Sequence, residues 1–168
     1  SLEAQLANVA DEIAYNAHDV DDGVRSGLLT EEQLEAVPIF VRYRDDALRE
    51  HPSLGGRRLL FETIRRMLSG QVYDVIDATR AALAEHQPGS ADAARRCPAL
   101  VRFSQPMAAE LQVLKRFLRT NLYRHPQVVE TTGRGQRVVR ELFAAYRDDP
   151  SQMPPDYAAA QDLPRAIA

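Results

Sequence analysis

The sequence predicts an all-α protein, a multi-helix, bundle-like region. Three observations predict it. Apolar residues recur at the three-to-four-residue spacing of a helix in almost every segment, and no stretch alternates with the period of a strand. Prolines, glycines and short polar caps mark where those segments start and stop. The 168 residues are 45% hydrophobic and 27% charged, which supplies enough apolar material for a core.

The first helix is predicted over residues 2–24, with Leu6, Val9, Ile13, Ala17 and Val20 along one apolar stripe and Gly27 as its stop. "TEEQ" then forms a capping box, with Thr30 as N-cap and Gln33 three residues on, and opens a short helix. Pro38 starts the next, which carries Ile39, Val41 and Leu48 towards His51 and Pro52. The longest helix begins after Gly55 and Gly56 and runs to about residue 86, with Leu60, Ile64, Met67, Val75, Ala78 and Ala82 as its apolar stripe. Gly70 lies inside it at a cost of about 1 kcal/mol relative to alanine, so a close packing contact or a mild bend is expected there.

Residues 86–98, "HQPGSADAARRCP", read as the main loop. Ser104 caps a helix with Pro106 in its first turn and Met107, Leu111, Leu114, Leu118 and Leu122 at heptad-like spacing. "TTGRGQ", 131–136, starts or interrupts the last clear helix, which is expected to bury Val138, Val139, Leu142 and Phe143. Its "GRG" reads as a flexible turn. From Asp148 onward, prolines and polar residues predict an extended tail. The domain reading is a single all-α region over 1–168, made of a helix-bearing stretch at 1–29, a helical region at 30–147 and the tail at 148–168. Helical periodicity begins almost at once at Leu2, and Pro164 looks like a helix-starting proline with little behind it. The chain therefore reads as a piece of something longer.

Bulk properties exclude several classes. A net charge of −3 argues against a dedicated nucleic-acid binder, which carries a basic surplus. The one cysteine, Cys97, has no partner for an internal disulfide, so a reducing cytoplasm is the expected setting and Cys97 a bystander thiol. No run approaches the roughly 18 apolar residues of a membrane span. The histidines at 51, 86 and 125 have no helical metal-ligand spacing, which argues against a zinc site. No nucleophile elbow, phosphate loop or dinucleotide fingerprint is present.

The concentration of acid in "ADEIAYNAHDVDDG", 10–23, is the chemically informative feature. At about 100° per residue, Asp11, Tyr15, His18 and Asp22 line the side of the first helix opposite its apolar stripe, with Asp19 beside them. Such a face can simply be solvated. Two details point further. No lysine or arginine interrupts the acids between Glu3 and Arg25, although like charges one turn apart repel. Tyr15 also sits centrally among them, a poor place for a ring unless something covers it. Converging carboxylates without basic partners can instead hold a divalent cation.

"SLEAQLANVADEIAYNAHDVDDGVRSGLL", 1–29, resembles the central motif of the bacterial deoxyguanosinetriphosphate triphosphohydrolase-like family, the dNTP branch of the HD-domain phosphohydrolases. In that family a signature helix carries Asp-x-x-x-Tyr-x-x-x-Asp, met here by Asp11, Tyr15 and Asp19. "HPQVVETTGRGQRVVRELFAAY", 125–146, resembles the C-terminal helical part of the same family, and "LPRAIA" the entry to a further family helix. The resemblance implies that Asp11 is the last of four ligands to a divalent metal ion, Mg or Mn, and that Tyr15 and Asp19 contact the sugar and triphosphate of a deoxynucleoside triphosphate. It implies a cytoplasmic, homo-oligomeric enzyme of which this chain is the C-terminal portion. The other ligands, a His and a His-Asp doublet, lie before Ser1 in the family pattern. The His18-Asp19 pair lacks the histidine and the glycine-rich surroundings of that doublet. The chain alone is therefore expected to be inactive.

Alternatives remain beside this one: a non-catalytic all-α oligomerisation or regulatory module, or an HD-type phosphohydrolase acting on another nucleotide. The arginines at 42, 44, 49, 57, 58, 65 and 66 are either an ion-paired helix surface or a phosphate-neutralising set.

Overall fold

The computed structural model describes residues 1–160 and 162–167 and is helical along its length, with no strand among the described residues. Its contacts divide the chain into two compact units, Ser1–Tyr123 and Arg124–Ala168, so the boundary falls inside the 30–147 region.

The first unit holds α1 (Leu2–Arg25), α2 (Glu31–Leu34), α3 (Pro38–Glu50), α4 (Gly56–His86), α5 (Ala91–Arg96) and α6 (Gln105–Leu118), which passes into a wider π-turn at Arg119–Tyr123. The chain's own caps set these limits. The Ser1 hydroxyl accepts from Ala4 N–H, and Gly27 adopts a left-handed φ of 74° that lets Leu29 N–H close back onto Gly23 O. The Thr30–Gln33 capping box is formed reciprocally, and Pro38 opens α3. Ser104 caps α6 through Met107 N–H, and is itself tied to α4, because Asp74 accepts from both its N–H at 2.8 Å and its hydroxyl at 2.6 Å.

α4 packs along α3 on one side and α1 on the other, and α6 closes the layer against α1 and α3. The order of the core clusters gives the helix directions. Going from Leu2 to Val24, α1 meets first the cluster of Ala82, Ala94 and Leu100, then that of Ile13, Val75 and Val101, then the main core. Going from Leu60 to Ala82, α4 meets them in reverse. α1 and α4 are therefore antiparallel. Between the Ile13/Val75 level and the Val20/Met67 level, Asn16 and Gln71 are both buried, and each leaves one amide atom without a partner, a donor on Asn16 and an acceptor on Gln71. This polar level penalises a shifted register of the two helices, because sliding would place these amides against aliphatic neighbours.

Several expectations hold. Met107, Leu111, Leu114, Leu118 and Leu122 are all buried in the main core. Gly70 is a close packing contact: a Cβ there would sit 1.7 Å from Tyr43 Oη and 2.4 Å from Cζ. Gly70→Ala is expected to destabilise the unit by about 1–2 kcal/mol, since overpacking exceeds the roughly 1 kcal/mol that alanine returns as helix propensity. Chemical denaturation checks this, and the cost should fall when Tyr43→Ala is added, because the two sites share one volume.

Other expectations are corrected. Leu6, placed on the buried stripe, is 54% exposed. The 86–98 loop contains α5, started by Ser90, whose hydroxyl accepts from Ala93 N–H; Cys97 ends it, with its thiol donating to Ala93 O at 3.4 Å.

In the second unit α7 (Pro126–Asp148) runs straight through "TTGRGQ", so neither a start nor a turn lies there: the 3.6-residue pattern on both sides outweighs two glycines. Val138, Val139 and Leu142 are exposed and Phe143 is half-buried, because α7 has no long helix to pack against within its unit. The tail is not extended. A 3₁₀ turn at Pro150–Gln152, α8 (Pro155–Ala158) and α9 (Leu163–Ile167) follow, each with a proline in its first turn. Pro164 thus does start a helix, and Ala168 behind it lies outside the described residues.

Candidate functional site

α1 presents its acidic face as the spacing requires. Asp11, His18 and Asp22 are exposed, Tyr15 is 59% exposed, and Asp19 is half-buried. The structure then separates carboxylates that looked alike in sequence. Glu12 pairs with the ammonium group of Lys115 at 2.5 Å, and Asp19 accepts a hydrogen bond from the Tyr123 hydroxyl. Arg25 lies 3.4 Å from Asp21 and 3.9 Å from Asp22. Asp11 has neither an ion pair nor a hydrogen bond among the described residues.

The partners of Glu12 and Asp19 thus come from α6 and its π-turn, which run alongside α1. Glu12 and Asp19 are seven residues apart, and Lys115 and Tyr123 eight apart, so two parallel rows meet side chain to side chain. Sequence reasoning missed both partners. Lys115 is the one lysine of the chain, a signal that composition alone does not connect to α1. Tyr123 follows the apolar run at heptad spacing and gives no sign of its polar role.

Electrostatics mark Asp19. Its carboxyl is pushed above the usual range by partial burial and then by the Asp22 charge, with His18 acting in the opposite sense. Asp11 and Tyr15 stay open to solvent on the turns before it. This surface can offer a carboxylate, an aromatic face and a second, hydrogen-bonded carboxylate in a row. Among the described residues no group of three or more His, Cys, Asp or Glu side chains is gathered to hold a metal ion. A metal at Asp11 would have one ligand from this chain, so the residues present do not by themselves make a metal site.

The arginine set resolves mostly into ion pairs. Arg42 pairs with Glu110, Arg44 with Glu35 and Asp45, and Arg49 with Asp46. Arg66 takes Glu50 with both terminal nitrogens and Glu62 through Nε at 2.6 Å, while Arg65 also forks onto Glu62. Arg57 stacks over Phe61. The two arginines hold the Glu62 carboxyl down at about 2 from its usual 4.5. A group depressed by folding contributes stability above its unfolded pKa and loses it as pH falls through the folded one. The contribution of Glu62 is therefore expected to be full above about pH 4.5 and to vanish towards pH 2, and Glu62→Gln should flatten that stretch of a stability-against-pH curve. No described helix is long and apolar enough to cross a membrane.

The fold is all-α, and comparison with known proteins narrows the class further. Residues 101–167 match a phosphohydrolase-associated domain family of the HD type. Over its whole length the chain is 51% identical to a deoxyguanosinetriphosphate triphosphohydrolase-like protein of Ralstonia nicotianae and 52% identical to one of Bordetella pertussis, and it covers 44% of each. The corresponding Azoarcus protein is 47% identical, again over the whole chain and 45% of its own length. Along its whole length the chain is similar to these deoxyguanosinetriphosphate triphosphohydrolase-like proteins, and it spans less than half of theirs.

Proposed function

We propose that the whole protein is a metal-dependent hydrolase that cleaves a deoxynucleoside triphosphate to the deoxynucleoside and inorganic triphosphate, and that this chain supplies part of its site. The observation that carries the reading is the Asp11, Tyr15, Asp19 row on the open face of α1, with Asp11 uncommitted among the described residues while Glu12 and Asp19 have partners. The relatives' names support the triphosphohydrolase chemistry.

In this reading Asp11 contributes one ligand to a divalent ion, Mg or Mn, and the remaining ligands come from polypeptide outside these 168 residues. Tyr15 lays its exposed ring against the deoxyribose and leaves little room for a 2′-hydroxyl. Asp19, steadied by Tyr123, accepts from the nucleotide. The chain by itself hydrolyses nothing.

Incubating the full-length polypeptide with deoxynucleoside and ribonucleoside triphosphates tests this. Inorganic triphosphate and deoxynucleoside should appear in equal amounts, deoxyribose should be preferred, and a chelator should stop the reaction. Release of single phosphates, or no hydrolysis, would overturn the proposal.

A further inference from the structure

An aliphatic groove of about 310 Å³ runs between α1 and α4, lined on one wall by Leu6, Val9 and Ala14 and on the other by Leu68, Val72 and Ile76. Leu6, Leu68, Val72 and Ile76 are all exposed, although the helices that carry them are otherwise well packed. The lining contains no charged or hydrogen-bonding side chain. A contiguous apolar channel of this kind is a docking surface rather than scattered surface hydrophobicity. Its chemistry suits an aliphatic helix face and gives a nucleotide or a charged peptide nothing to bind.

The position of the groove and the length of the relatives indicate what fills it. Ala10 and Ala14, in its lining, flank Asp11 and precede Tyr15 on α1, so the groove runs along the same turns that carry the acidic row on their other side. The relatives carry more than half of their length beyond the part that matches this chain. We infer that the α1/α4 groove is the seat of an aliphatic helix from that remaining part of the same polypeptide. The coverage of the groove does not rest on the proposed function.

Cysteine reactivity in the full-length polypeptide tests it. With Cys97→Ser and any further native cysteines of the full-length polypeptide likewise replaced by serine, Val72→Cys should react with a maleimide at least about tenfold more slowly than the reference Arg49→Cys, because a covered site reacts only on local opening. The protection should survive dilution, and Leu68→Cys should repeat it. A photo-activatable maleimide carried at Val72→Cys should cross-link to the polypeptide outside residues 1–168, within one copy. Labelling as fast as at Arg49→Cys, protection lost on dilution, or cross-links only to a second copy or within 1–168 would overturn the inference. Hydrolysis is measured on the unsubstituted protein. Protection without triphosphate release would refute the functional proposal alone, and release without protection the docking inference alone.

Discussion

Asp11→Ala in the full-length polypeptide is expected to lower turnover of a deoxynucleoside triphosphate by about a thousandfold and to reduce bound divalent metal, while leaving the unfolding midpoint almost unmoved. The first part follows from the role proposed for Asp11: a metal contributes several kcal/mol of charge stabilisation, and about 4 kcal/mol corresponds to three orders of magnitude. The second follows from the structure. Asp11 is exposed and has no ion pair or hydrogen bond among the described residues, so its truncation orphans nothing. Surface substitutions of that kind stay within about 0.5 kcal/mol. A variant that keeps both metal and turnover would refute the assignment. One that loses turnover by unfolding would show that Asp11 has structural partners in the whole protein.

The contrast with Asp19 shows how far the site was legible. Helical spacing was enough to put Asp11, Tyr15 and Asp19 on one face, because a 24-residue helix fixes angular positions from sequence alone. Spacing could not say which acids already had partners. Lys115 and Tyr123 reach Glu12 and Asp19 from about a hundred residues away, and such pairings depend on how α6 docks. The same limit explains the fold. Caps at Thr30 and Ser104 are written within a few residues, whereas a lone glycine inside a helical pattern signals a close neighbour or a bend at Gly70 without naming Tyr43. Leu6 and the α7 stripe were misread because an apolar face announces that it wants a partner, not that one is present.

That distinction yields the second large effect. Leu114 and Val139 both occupy apolar helical stripes, and periodicity rates them alike. Leu114 has no exposed surface and sits where α1, α3, α4 and α6 share one cluster, whereas Val139 is 66% exposed. Leu114→Ala is expected to cost about 3 kcal/mol, the transfer energy of the lost atoms plus a cavity that its own helix and the three packed around it cannot collapse. The melting temperature should fall by about 10 °C at the few degrees per kcal/mol of a chain this size. Val139→Ala removes two methyl groups already in water and places a better helix former in α7, so the change should stay within about 0.5 kcal/mol. Differential scanning calorimetry of the two variants measures both. A cost at Val139 approaching that at Leu114 would mean that the α7 stripe is covered, and that its exposure here marks a second surface built to receive the rest of the polypeptide.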